Sequence, residues 1–450
     1  MFYRNVISEL KKWANEEDRK PLILRGARQV GKTTAVDMFA KDFDYYISLN
    51  LEKKEDVEIF NRNLSIDDLI QAILLEKNVP YTSKKKILLF IDEIQNSPPA
   101  VAMMRYFYES PKNLYVIGAG SLLETLMDEK QISFPVGRVR YLFMYPMTFE
   151  EFLPAAGEDA AVKLCGEVPL PEYAFPKLLK LFHTYTLIGG MPEIIKNYIK
   201  TRDMVTLKPV YEALMTGYLE DVSKYAKNSS MEAVIRHAVE SAPLEAGKRI
   251  KFQGFGHSNY QSREMGEALR ALERVMLLYL LYPSIETEPP LIPDKKKSPR
   301  LQFLDTGLLN YFVGLQGYFF KYDDLHSFYR GKLAEHIVGQ ELLAIDMNSN
   351  KKIPFWVREQ KQAKAEVDFA VPYKHYIIPL EVKAGKTGSL RSLHQFLDRA
   401  GHGYAVRLYA GPLQLTETST PSGKPYKLLN LPYFLTGRIN AYLQWLVDGR

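Results

Sequence analysis

The sequence predicts an α/β protein in four successive parts: a parallel-sheet core, a helical subdomain, a helix-turn-helix module with a hairpin, and a second, smaller α/β domain. Three observations carry this prediction. The short apolar runs PLILRG (Pro21 to Gly26), ILLFIDE (Ile87 to Glu93) and LYVIGAG (Leu114 to Gly120) alternate with helical stretches, as buried parallel strands with crossover helices do. Beyond about residue 150 the strands give way to apolar residues at helical spacing, as in FPKLLKLFHTY. From Gly331 onward the order reads α-β-β-β-α-β. The expected boundaries are 1–150, 151–230, 231–325 and 326–450.

With 450 residues, 46% hydrophobic and 25% charged, the chain can bury several cores, which excludes wholesale disorder. Its longest apolar run, Val275 to Tyr282, is far below the roughly 20 residues that cross a bilayer, and the start MFYRNVISELKKW lacks the apolar core of a secretory signal. No membrane partner is expected. The single cysteine, Cys165, rules out an internal disulfide and fits a reducing cytoplasm, the expected location. A net charge of +6 permits contact with nucleic acid without demonstrating it.

The first chemistry lies in Gly26-Ala27-Arg28-Gln29-Val30-Gly31-Lys32-Thr33, a phosphate-binding loop pattern between an apolar run and the helix-like TTAVDMFAKDF. Its glycines let backbone N–H groups turn toward phosphate oxygens, Lys32 supplies the countercharge, the Thr33 hydroxyl is placed for Mg²⁺, and Thr34 opens the helix behind. In ILLFIDE a buried strand delivers two carboxylates to the sheet's carboxyl edge, where ligands bind. Asp92 is the expected Mg²⁺ ligand, and Glu93 the group that orients or deprotonates an attacking water. Ser121, after LYVIGAG, suits a γ-phosphate sensor and equally a helix N-cap.

RGARQVGKTT (Arg25 to Thr34) with FIDEIQ (Phe90 to Gln95) resembles the prokaryotic AAA-type ATPases, as do GSLLE (Gly120 to Glu124), Gly137-Arg138 before YPMTFEEFL, and GGMPEII (Gly189 to Ile195). The resemblance covers the first two hundred residues or so and implies a P-loop ATPase core with a helical lid, using ATP and Mg²⁺. It also implies that Arg138 is a candidate finger for the γ-phosphate and that the turn before Pro192 packs near the adenine. An exposed strand arginine is the plain alternative for Arg138. A finger reaching a neighbouring subunit requires a homo-oligomer; one acting in its own chain does not.

In the last part, AEVDFAV puts Glu366 and Asp368 on one strand face, and PLEVKA puts Glu381 and Lys383 on one face. Pairing the two runs brings Asp368, Glu381 and Lys383 together, with Asp368 and Glu381 able to chelate Mg²⁺ or Mn²⁺ and Lys383 to stabilise charge at a phosphate. The plain alternative is a Glu381–Lys383 ion pair on a solvated face. Asp368-(x12)-Glu381-x-Lys383 resembles the PD-(D/E)xK nuclease superfamily, a restriction-endonuclease-like fold, with Val367 in place of the proline. The resemblance makes Glu335, in GKLAEHIVGQELL, the acidic residue of the first helix. This region also resembles the uncharacterised domain commonly fused to the ATPase family.

Between them, MEAVIRHAVESA, EMGEALRALERV and the runs LLYLLYPSIE and RLQFLD suggest a winged helix. Arg263, Arg270 and Arg274, with RIKFQ and Lys295 to Lys297, are its candidate phosphate contacts, so DNA is the expected partner ahead of RNA. Two readings stand: an ATPase that binds DNA and cuts it at a metal-dependent site, or a regulatory ATPase whose inactive nuclease-like domain docks a protein partner.

Overall fold

A computed structural model describes residues 2–80, 84–121, 137–224, 226–314, 331–358, 365–385 and 388–449. The chain divides into two compact units. Among the described residues no helix is long and apolar enough to cross a membrane.

The first unit comprises Met1–Tyr145 with Arg274–Leu277 and Asp346–Asn350. Its sheet contains β1 (Leu22–Gly26), β2 (Tyr45–Asn50), β3 (Ile87–Asp92), β4 (Leu114–Gly120) and β5 (Arg140–Met144) in the order β2-β3-β4-β1-β5, every pair parallel. The three inner strands are buried at each position, which is why they read as unbroken apolar runs. β2, at an edge, alternates buried and exposed residues and gives a weaker signal. Ile23, Leu89, Ile91 and Val116 pack with helices Lys54–Asn61 and Ile66–Glu76 into one apolar core. Because β1, β3 and β4 are neighbours and parallel, Gly26, Asp92 and Gly120 emerge side by side at the carboxyl edge.

The second unit holds Pro146–Glu273, Leu278–Ile345 and Lys351–Arg450. The stretch expected to form a helical subdomain is helical, in helices Phe149–Ala155, Asp159–Cys165, Phe175–Ile188, Pro192–Thr201 and Lys208–Glu220, within this larger unit. Helices Ser229–Glu245 and Ser262–Arg274 precede β6 (Leu278–Leu281), β7 (Pro283–Ser284) and β8 (Arg300–Phe303); β6 and β8 pair antiparallel, and an Arg249↔Arg300 bridge adds a third segment. After helix Lys332–Leu343 come β9 (Phe355–Val357), β10 (Glu366–Val367), β11 (Phe369–Tyr373), β12 (Tyr376–Lys383), β13 (Tyr404–Tyr409), β14 (Gln414–Ser419) and β15 (Pro425–Pro432). The larger sheet is β11-β12-β13-β15-β14, with β12, β13 and β15 parallel and both edges antiparallel.

AEVDFAV is not one strand. It breaks at Asp368: β10 pairs with β9, β11 pairs with β12, and the Asp368 carbonyl accepts a bond from Arg300 at 3.0 Å. The juxtaposition of Glu366 and Asp368 therefore comes from this break rather than from strand alternation.

The sequence divides this region at 230 and 325, but a buried polar network crosses both points. Asp305 caps helix Thr306–Phe312 by accepting from Leu308 N at 3.0 Å, and accepts from Gly190 N at 2.6 Å. Gln340 accepts from the Thr306 hydroxyl at 2.7 Å, and Glu341 accepts from Tyr185 OH at 2.7 Å and Phe149 N at 3.0 Å. Burial pushes the Asp305 carboxyl up to about 6 and the Glu341 carboxyl up to about 8.

Backbones pass closely here: a Cβ at Gly307 would overlap the Ile188 carbonyl. Gly307→Ala is expected to cost more than about 3 kcal/mol, because backbone cannot give way as a side-chain tip can. Thermal unfolding beside wild type checks this; an unchanged midpoint would show that the two segments separate freely.

Candidate functional site

The phosphate-binding loop joins β1 to helix Lys32–Phe39. Gln29 (φ 64°) and Gly31 (φ 95°) take left-handed backbone, turning the chain sharply into the helix. Arg4 fastens the loop from outside, donating to Val30 O at 2.5 Å and Tyr145 O at 2.7 Å. Ala27 and Val30 are buried, Arg28 is half-buried, and Gln29 and Thr34 are exposed. Lys32 is only 7% exposed, and its ammonium donates to Gly26 O and Ala27 O at 3.0 Å each. Burial lowers its proton affinity, while Glu93 and Asp92 pull the other way.

Thr33 Oγ1 donates to Asp92 Oδ2 at 2.7 Å, linking the loop to the end of β3. Burial raises the Asp92 carboxyl against that bond. Glu93 sits in left-handed backbone (φ 49°), its N–H on Asp92 Oδ1 at 3.0 Å, and its Oε2 accepts from Gln95 Nε2. Half-buried Ser121 follows β4, whose Gly120 is in register with Arg25. The loop, Asp92, Glu93 and Ser121 thus share one edge. The buried Lys32 ammonium and the Thr33–Asp92 pair fit a nucleotide with its Mg²⁺: a cation waits on carbonyls that phosphate oxygens can replace, and two oxygens are already paired. Sequence reasoning missed Arg4 and Gln95; Gln95 stood in FIDEIQ, beside residues already chosen.

Arg138 lies elsewhere. It is half-exposed and paired with Glu109 at 2.5 Å. Arg140 is in register with Leu22 and Met144 with Gly26, so Arg138 precedes the amino end of β5, six residues from the level of Gly26. At ~3.3 Å per residue that is about 20 Å from its own phosphate loop, beyond one side chain's reach. Pro192 opens helix Pro192–Thr201 in the second unit, after a turn held by Gly190 O accepting from Met147 N at 2.7 Å. Leu122 to Glu124 of GSLLE lie outside the described residues.

The second unit gathers the C-terminal residues. Phe369 is in register with Leu380, which sets Asp368 beside Glu381, and Asp368 Oδ2 accepts from Val382 N at 2.7 Å. Glu381 is 6% exposed, so its 2.6 Å ion pair with Lys383 is on no solvated face. Its other oxygen, Oε2, is buried and finds no hydrogen-bond partner among the described residues. Glu335, on helix Lys332–Leu343, lies within the electrostatic reach of Asp368, Arg300, Glu366 and Lys383. Burial, reinforced by Asp368, pushes the Glu335 and Glu381 carboxyls up to about 8. Burial likewise raises Asp368, against the pull of Arg300.

Arg300 was missed, its only signal an arginine heading the apolar run RLQFLD. It is 5% exposed and bonded to Glu366. No group of three or more His, Cys, Asp or Glu among the described residues is arranged to hold a metal ion. The candidate phosphate contacts differ: Arg263 and Arg270 are exposed, whereas Arg274 is half-buried and its carbonyl accepts from Arg25 at 3.0 Å.

Residues 18–153 match the family model described as an AAA domain, residues 179–318 a domain of unknown function (DUF8612), and residues 330–423 another domain of unknown function (DUF4143). No curated protein matches the chain. Similar solved structures include a Walker-type ATPase of Pyrococcus abyssi, at 15% identity over 70% of this chain and 96% of that one with a TM-score of 0.46. Others are RuvB of Thermotoga maritima (17% identity, 66% of this chain and 93% of that one, TM-score 0.28) and the ORC2 protein of Aeropyrum pernix (13%, 71% and 96%, TM-score 0.29). The match over residues 18–153 and the loop with its β3 carboxylates identify a P-loop ATPase domain of the AAA type in this part of the chain, a class that uses nucleotide with Mg²⁺.

Proposed function

We propose that this ATPase binds DNA through a winged helix formed by helices Ser229–Glu245 and Ser262–Arg274 with β6 and β8, and cleaves phosphodiesters at Asp368, Glu381 and Lys383. The observation that carries the nuclease part is the buried, unpartnered Glu381 Oε2 beside Asp368, with Lys383 on the same carboxylate. Clustered buried carboxyls whose protons a cation can displace, with one oxygen unsatisfied, fit a divalent cation, Mg²⁺ or Mn²⁺. Such an ion supplies Lewis-acid polarisation of a phosphodiester and lowers the pKa of a bound water. Asp368 and Glu381 would hold it, Glu335 would stand behind them as a third buried carboxyl, and Lys383 is positioned to offset charge building on the attacked phosphate. Arg263 and Arg270, with Lys295 and Lys296 at the exposed hairpin tip, contact duplex phosphates.

In the ATPase unit, Lys32 exchanges the carbonyls of Gly26 and Ala27 for phosphate oxygens. Thr33 and Asp92 hold Mg²⁺, Glu93 orients or deprotonates the attacking water, and Ser121 contacts the γ-phosphate. Arg138, on the opposite edge of its own sheet, acts on a neighbouring subunit's nucleotide, which makes the working form a homo-oligomer.

A second reading is supported by the saturation of Glu366 by Arg300 and by the lack of a three-ligand metal group among the described residues: the last domain is then an inactive module that docks a protein partner. Cleavage of supercoiled plasmid and single-stranded DNA in Mn²⁺ and Mg²⁺, with and without ATP, separates the two. Wild type is expected to cut and Glu381→Ala to lose at least 100-fold, while Lys32→Ala reports whether ATP controls the cutting. No cutting by wild type with ATP hydrolysis intact overturns the nuclease reading and favours docking.

A further inference from the structure

The carboxylate cluster is incomplete without a residue from well outside its own domain. Arg300 heads β8, whose partner is β6, yet its guanidinium reaches the break between β10 and β11. One nitrogen donates to the Asp368 carbonyl at 3.0 Å; the other bonds to Glu366 and lies 3.8 Å from Asp368 Oδ1. The group lies over the Phe355 ring at 4.7 Å and the Phe369 ring at 5.9 Å, and a second arginine, Arg249, stands 3.7 Å from Glu366. At 5% exposure Arg300 is no contact for a DNA phosphate.

We propose that Arg300 is a built-in counter-cation that occupies the Glu366 side of the cluster and limits the site to one divalent ion, held by Asp368 and Glu381. This rests on the metal-dependent reading above. On the Glu366 side arginines already face the oxygens: Glu366 Oε1 binds Arg300, its Oε2 is 3.7 Å from Arg249, and Asp368 Oδ1 is 3.8 Å from Arg300, while Asp368 Oδ2 accepts from Val382 N on β12. On the other side Glu381 Oε2 is buried and unpartnered. Charge counting agrees. With all four carboxyls (Glu335, Glu366, Asp368 and Glu381) ionised, the state in which protons have given way to a metal, they face three cations (Arg249, Arg300 and Lys383) and leave one negative charge. One divalent ion turns that into a single positive charge, and a second would leave three in a buried site, which desolvation disfavours. A fragment beginning near Gly331 would lack the counter-cation, so the site belongs to the whole second unit.

The test is Mn²⁺ binding by the nucleotide-free full-length chain, read by the EPR signal of free Mn²⁺, taking as specific the binding that Asp368→Asn removes. The expected count is one Mn²⁺ per chain. Glu366→Gln, whose amide oxygen can still accept from Arg300, is expected to keep that count with affinity changed less than about 10-fold. Arg300→Met is expected to admit a second ion; if that variant does not fold, Glu366→Gln still decides. Two specific ions in wild type, or a loss beyond about 100-fold in Glu366→Gln, overturns the counter-cation role while leaving a metal-dependent site standing. No specific Mn²⁺ in wild type overturns both.

Discussion

Replacing Glu93 by glutamine is expected to slow ATP hydrolysis by roughly 100- to 1,000-fold while leaving ATP affinity within a few-fold, a range typical of losing a general base. The two carboxylates at the end of β3 have different tasks. Asp92 is tied to Thr33 at 2.7 Å and is the proposed Mg²⁺ ligand, whereas Glu93 turns away in left-handed backbone and its side chain accepts from Gln95. Glutamine keeps the size and the hydrogen-bonding edge but cannot take a proton. Lys32→Ala should behave differently, losing affinity itself, because it removes the one buried ammonium on the loop. Fluorescent-nucleotide binding together with single-turnover hydrolysis separates the outcomes. Equal loss of affinity in both variants would assign Glu93 to binding rather than to the water.

The second large effect concerns stability and pH. Glu341, pushed up to about 8 by burial from an ordinary value of 4.5, holds a proton in the folded chain that the unfolded chain releases above about pH 5. Below pH 4.5 both states are protonated and the difference vanishes. Between about 5 and 8 the folded state carries the extra proton, so stability falls as pH rises, by up to roughly 1.4 kcal/mol per pH unit, and levels off above 8. Asp305, at about 6, adds a slope of the same sign between about pH 4 and 6. This is the reverse of a salt-bridged carboxylate, whose stability is lost on acidification. Glu341→Gln keeps an oxygen for Tyr185 OH and Phe149 N, so it is expected to remove about one third of the fall between pH 6 and 8, Glu335 and Glu381, also raised to about 8, keeping their share. Denaturant unfolding across that range checks it, and an unchanged slope would move the effect to other groups.

The placement of Gly26 to Thr33, Asp92, Glu93 and Ser121 at one sheet edge was legible because it is set locally. Each sits at the end of a fully buried strand, and buried parallel strands leave unbroken apolar runs whose ends can be read directly. β2 left a fainter trace because one of its sides lies at the sheet edge. In the last domain the spacing of Asp368, Glu381 and Lys383 anticipated their proximity, since two adjacent strands need only a hairpin to meet. The strand around Asp368 was misread, because the break there is made by Arg300, sixty-eight positions away in the chain.

What the sequence determined alone was therefore the set of chemical groups carried by single strands and turns: a phosphate loop, a carboxylate pair beside it, and a second acidic pair with its lysine. Only the tertiary structure decided that Arg138 stands at the far edge of its own sheet, that Arg300 bonds to Glu366 and to the Asp368 carbonyl in the second cluster, and that Asp305, Gln340, Glu341 and Tyr185 lock three expected domains into one unit. The physical reason is burial of polar groups. A strand's period shows which face is apolar, but a charged or hydrogen-bonding group taken out of water must find its partner wherever the fold brings one, and that partner leaves no mark at any fixed spacing.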